Sequence, residues 1–132
     1  MNAGLQAFAA YRETNAATAI MDASPHQLTS LLLKAAMERL SVAKGAMERG
    51  DVASRTAAIR KVTDIILELK NTLNLEKGAD VALQLDRLYE FSITTLLEAN
   101  IQKDIDKLES VRSVLAEINE AWAQIAPARG DG

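Results

Sequence analysis

His26 is the single histidine of the 132-residue chain, and its chemistry would reach furthest if its neighbours supported it. A di-iron or di-manganese helical bundle needs Glu-x-x-His pairs. Three residues before His26 stands Ala23, so that arrangement is excluded. A phosphorelay histidine sits exposed in mid-helix, whereas His26 follows Pro25 at a helix start and reads as a solvated cap residue. The absence of cysteine removes disulfides, thiolate catalysis and Cys-based metal sites together. The sequence has no Gly-rich phosphate cradle and no Ser/His/Asp constellation, and its carboxylates lie scattered among Lys and Arg. Combinations such as Glu109 with Arg112, or Asp86 with Glu90, read as solvated faces. The expectation is a protein that is not an enzyme and uses neither cofactor nor metal.

Without chemistry to position, the elements themselves must carry the function. Apolar residues make up 48% of the chain and aromatics only 4%, so a core must be built from Leu, Ile, Val, Ala and Met, as in helical bundles. A net charge of −3 offers no concentrated basic face and disfavours nucleic acid or an acidic membrane surface as partner. No apolar run approaches the roughly 20 residues of a membrane helix, and the first residues lack a basic start followed by an apolar block. These features predict a cytoplasmic protein of one domain over 1–132, with an arm over about 1–22 and a bundle over about 24–126.

The bundle's first helix is announced by Ala23-Ser24-Pro25-His26-Gln27-Leu28: Ser24 as N-cap, Pro25 where a missing amide hydrogen costs nothing, and Gln27 as capping-box partner. Gly50-Asp51 predicts the end of that helix near Arg49 and the start of a second at Val52. The second fades around 72–74, and 74–80, containing Gly78, forms the longest connection. A third helix is expected from about Val81 to Asn100, with Asn100 as a left-handed terminator. Asp104 then caps a fourth from about Ile105 to Ile125. The fold class is all-α, an antiparallel four-helix bundle preceded by a short N-terminal arm or helix.

The apolar stripes differ in width. The second helix places Ile59, Val62, Ile66, Leu69 and Leu73 on one face, and the fourth does the same with Leu108, Val111, Leu115, Ile118, Trp122 and Ile125. The first carries Leu28, Leu32, Ala36, Ala43 and Met47, with Leu33, Met37 and Leu40 swung well round from Leu28. The third adds Tyr89, Ile93 and Leu97 beside a main stripe of Val81, Leu85, Leu88 and Leu96, and Leu67 stands alone on the second. The extra positions either widen the core across a diagonal of the bundle or line a groove open to something else.

The chain resembles the FliS family of flagellar secretion chaperones. The resemblance runs from about Phe8 to Pro127 and rests on landmarks in order: Tyr11, the Ala23 to Leu28 segment, Gly50-Asp51, Glu76-Lys77-Gly78, Leu88-Tyr89, Leu96-Leu97-Glu98-Ala99-Asn100 and Glu120-Ala121-Trp122. The chain departs from the family's usual Leu-Tyr (or Phe)-Asp-Gly-Ala with Leu32-Leu33-Lys34-Ala35-Ala36, and Gly78-Ala79 keeps one glycine of a common pair.

The resemblance implies a chaperone that binds the disordered C-terminal segment of flagellin, prevents premature polymerisation and delivers it to the flagellar type III export gate. Such a client needs an apolar surface on which an amphipathic helix can form. Leu33, Met37, Leu67, Tyr89, Ile93 and Leu97 are candidate client-binding residues, and Phe8 and Tyr11, three apart in the arm, join them. In similar proteins the arm covers part of this surface and moves aside for the client. The competing reading is a helical adaptor or homodimeric bundle that buries its spare apolar faces by self-association. Trp122 is expected to be structural.

Overall fold

The computed structural model describes residues 24–73 and 79–124. The expected arm, with Phe8 and Tyr11, and the tail beyond residue 124, with Ile125, lie outside them. Four helices run in order: α1 (Pro25–Arg49), α2 (Val52–Asn71), α3 (Ala79–Gln102) and α4 (Ile105–Gln124). Each is antiparallel to the next. α1 packs on α2 and α4, and α3 also packs on α2 and α4, so the four close into a ring with α1 and α3 on a diagonal.

The local signals explain the ends. The Ser24 hydroxyl accepts from the Gln27 amide at 3.2 Å and the Gln27 side chain accepts from the Ser24 amide at 2.9 Å, a complete capping box with Pro25 in the first turn. At the other end of α1, Gly50 adopts φ 72°, its amide donates to the Met47 carbonyl, and the Asp51 amide reaches the Ala46 carbonyl at 2.9 Å. This Schellman closure satisfies carbonyls that would otherwise be orphaned. Asp51 then caps α2 by accepting from the Ser54 amide at 3.1 Å, and hydrogen bonding with the Ser54 side chain first and its amide second holds the Asp51 carboxyl below the usual carboxylate range.

The turn between α3 and α4 repeats the device with a different residue from the expected one. α3 continues through Asn100 to Gln102, and Lys103 takes the left-handed conformation at φ 55°. The Asp104 amide closes onto the Ala99 carbonyl at 3.0 Å, and Asp104 caps α4 through the Lys107 amide at 3.3 Å. Asn100 stays helical, and its side-chain carbonyl accepts from Arg55 Nε of α2 at 2.9 Å.

The core draws on all four helices: Leu33, Ala36 and Leu40 from α1; Val62, Ile65, Ile66 and Leu69 from α2; Tyr89, Leu96 and Ala99 from α3; Leu108, Val111 and Leu115 from α4. Each buried Leu or Ile contributes about 1.5 to 3 kcal/mol relative to exposure. The stripe expected on α3 is corrected. Val81 and Leu88 are exposed, and the inward face is Ala82, Tyr89, Ser92, Leu96 and Ala99. Ser92 is tolerated inside because its hydroxyl donates to the Leu88 carbonyl at 2.8 Å, within its own helix.

His26 is also not a free cap residue. Its ring stacks on Trp122 with centroids 4.9 Å apart and planes 16° apart. Trp122 Nε1 donates to the His26 carbonyl at 2.9 Å, and His26 Nε2 lies 3.1 Å from the Trp122 carbonyl. A carbonyl only accepts, so Nε2 carries the proton. Reciprocal bonds thus tie the first turn of α1 to the last turn of α4.

Candidate functional site

α2 and α3 define the site through two side-chain links that fix their register. Lys70 on α2 reaches Asp86 at 3.0 Å and Glu90 at 3.2 Å on α3, one turn apart. These bonds hold the Lys70 ammonium above its ordinary pKa, Asp86 first and Glu90 second. Arg55, a buried cation, grips Asn100 toward the other end of the pair. Lys70, Asp86 and Glu90 mark the edge of each helix that faces the other, and helical periodicity carries that edge onward.

Along α3 the edge continues from Glu90 to Ile93, then in four-residue steps to Leu97 and Ile101. Along α2 it runs back from Lys70 through Leu67 and Thr63. Leu97 is 60% exposed and Ile101 71%, Leu67 is exposed, and Ile93 is partly buried against the core. The result is an apolar ladder on an open seam, closed at one end by the Lys70 cluster and floored by Ile93. It can receive one apolar helix face through anchors at four-residue spacing. Among the described residues there is no group of three His, Asp or Glu that could hold a metal, and no helix is long and apolar enough to cross a membrane.

The structure sorts the candidate residues. Leu67, Ile93 and Leu97 come together on this seam. Leu33 and Tyr89 do not: at 0% and 1% exposure they are core residues. The residue swung round from Leu28 reaches the middle of the bundle because α1 crosses to α2 on one side and α4 on the other. Burial pushes the Tyr89 hydroxyl up to about 12. Met37 lies two turns before Lys44, whose ammonium pairs with Glu109 of α4 at 3.0 Å, so it belongs to the α1 and α4 seam. Phe8 and Tyr11 lie outside the described residues.

Sequence reasoning missed Ile101, the most exposed large apolar residue among those described. Its signal was the four-residue step from Leu97, obscured by ending α3 at Asn100. It also missed the Arg55 to Asn100 link, which two polar residues 45 positions apart do not announce.

Comparison with known proteins fits this architecture. The family model described as flagellar protein FliS matches residues 7–129. The chain is 40% identical over 119 residues to the flagellar secretion chaperone FliS of Salmonella typhimurium, covering 89% of this chain and 88% of that protein. It is 37% identical over 122 residues to the flagellar secretion chaperone FliSB of Pseudomonas aeruginosa, covering 92% and 97%. With the FliS of Vibrio cholerae it shares 36% identity over 118 residues, covering 89% and 87%. A match of this extent, on a four-helix bundle carrying an open apolar seam, means that the chain belongs to the FliS family of flagellar proteins.

Proposed function

We propose that this protein is a cytoplasmic, non-enzymatic secretion chaperone for flagellin that holds the client's C-terminal segment as an amphipathic helix on the seam between α2 and α3, prevents its polymerisation and passes it to the export gate. Family membership supports the chaperone role. The observation that carries the choice of surface is the ladder of Ile93, Leu97 and Ile101, beside Leu67 and open to solvent in a protein of this size. Leu67, Leu97 and Ile101 make the outer contacts and Ile93 the floor. Tyr89 and Leu33 back the seam from the core.

The test is Leu97→Asp against a flagellin C-terminal peptide. Leu97 lies outside the core, so the variant folds, and a carboxylate under an apolar helix face weakens binding roughly tenfold or more. Calorimetry of the parent complex gives a negative heat-capacity change, and circular dichroism shows more helix than the sum of the parts. A folded variant that binds like the parent, or a complex that gains no helix, removes the seam from the mechanism.

A further inference from the structure

Six of the nine exposed large apolar side chains among the described residues sit on α3, more than one seam with α2 can use. Counting along the helix separates Leu97 from a second strip on the side of α3 turned away from the bundle. Arg87 and Glu98 are eleven residues apart, which is just over three turns and about 16 Å. They therefore share one azimuth, with exposed Phe91 between them, and Leu83 and Ile101 flank the same strip at its two ends. A helix whose solvent face carries Phe, Leu and Ile calls for a partner.

The strip is complementary to its own reverse. Laid antiparallel on itself about a two-fold axis midway between residues 92 and 93, each Arg87 meets the Glu98 of the other copy. Each Ile101 meets the other Leu83 on the same flank, and the two Phe91 rings approach each other beside the axis. Arg87 forms no ion pair among the described residues. Glu98 spends one oxygen on Lys107 at 3.1 Å and its side chain is 46% exposed, which leaves the second oxygen available. Self-complementarity of one patch is what a two-fold interface requires.

We infer that the outer face of α3 pairs two copies of this chain antiparallel, with Arg87 of each copy against Glu98 of the other and Phe91 at the centre. The inference concerns the chain without a client; it shares Ile101 with the client seam, but its test reads self-association alone, so it stands or falls apart from the flagellin reading.

Sedimentation of the full-length chain over a concentration series tests it. The parent is expected at twice the chain mass in the upper range and to dissociate on dilution. Arg87→Glu alone and Glu98→Arg alone each put like charges together at two symmetric places and weaken association about tenfold or more. The chain carrying both reversals restores attraction and recovers to within about threefold of the parent. Melting curves confirm that all variants are folded. A second arm, Phe91→Ser, keeps the charges and removes the apolar centre, and it also weakens pairing. A single-chain mass up to about 1 mM, or a dimer indifferent to the single reversals, or a double reversal no better than the singles, overturns the proposal.

Discussion

Burial changes what Tyr89 contributes. With 1% of its surface exposed, its hydroxyl must stay protonated, and burial raises its pKa from 10.0 to about 12. A pKa raised on folding contributes stability that is complete below the unfolded value and is lost as pH climbs through the folded one. The window is therefore about pH 10 to 12, and the loss at its upper end is up to about 2 to 3 kcal/mol. Tyr89→Phe keeps the ring and removes the titration. The Lys70 cluster also weakens at alkaline pH, since its ammonium pKa is raised by Asp86 and Glu90, but it does so equally in both proteins. Urea unfolding of the pair should agree within about 1 kcal/mol near neutral pH, with the parent falling more steeply above pH 10. Parallel alkaline losses would show that Tyr89 does not titrate with folding. The inward turn of Tyr89 was hidden in the sequence because periodicity counts large apolar residues. The true face of α3 includes Ala82, Ser92 and Ala99, which such counting passes over, and the conspicuous Val81 and Leu88 remain outside.

Helix ends were the most legible elements, because capping is local chemistry. Ser24, Pro25 and Gln27 marked the start of α1, and Gly50 and Asp51 its end, to the residue. Asn100 was misread for a physical reason: the residue type favours a left-handed turn, but a long-range partner, Arg55, holds it in the helix. Closure onto the Asp104 cap then leaves the positive φ to Lys103. The two glycines of α1 and its cap should respond oppositely to the same change. Gly50→Ala meets no atom within 4 Å, but must adopt φ 72°, so it destabilises by about 1 kcal/mol through the backbone alone. Gly45→Ala lies in mid-helix, and its new methyl would touch only the tip of Arg49 at 3.2 Å. That flexible side chain can move, so the substitution stabilises by up to about 1 kcal/mol through helix propensity. Denaturant midpoints moving the same way for both would contradict this account of the α1 terminus.

At the scale of the molecule, the ring of helices is closed along α1 and α4, and the two ends of that seam are held differently. Near the far end, Lys44 pairs with Glu109 on the surface, an exposed interaction that contributes little. At the near end the chain's only tryptophan and only histidine form the reciprocal clasp. The four helices and their order could be read from the sequence. This closure could not, because it joins residues 96 positions apart that each had an adequate local explanation, His26 as a cap and Trp122 as the end of a stripe. If the two act as one unit, their substitutions are not additive. Trp122→Phe keeps a ring against the core but loses the indole donor, at a cost of about 1 kcal/mol. His26→Ala loses the stacked ring and the Nε2 bond, while its carbonyl remains to accept from Trp122. The double variant should be less destabilised than the sum of the singles by about 0.5 to 2 kcal/mol, the coupling expected of residues in direct contact. Circular dichroism melts of the four proteins measure it without relying on the tryptophan being removed. Additivity within about 0.3 kcal/mol would mean that α4 is held to α1 by core packing alone, with the clasp as a bystander.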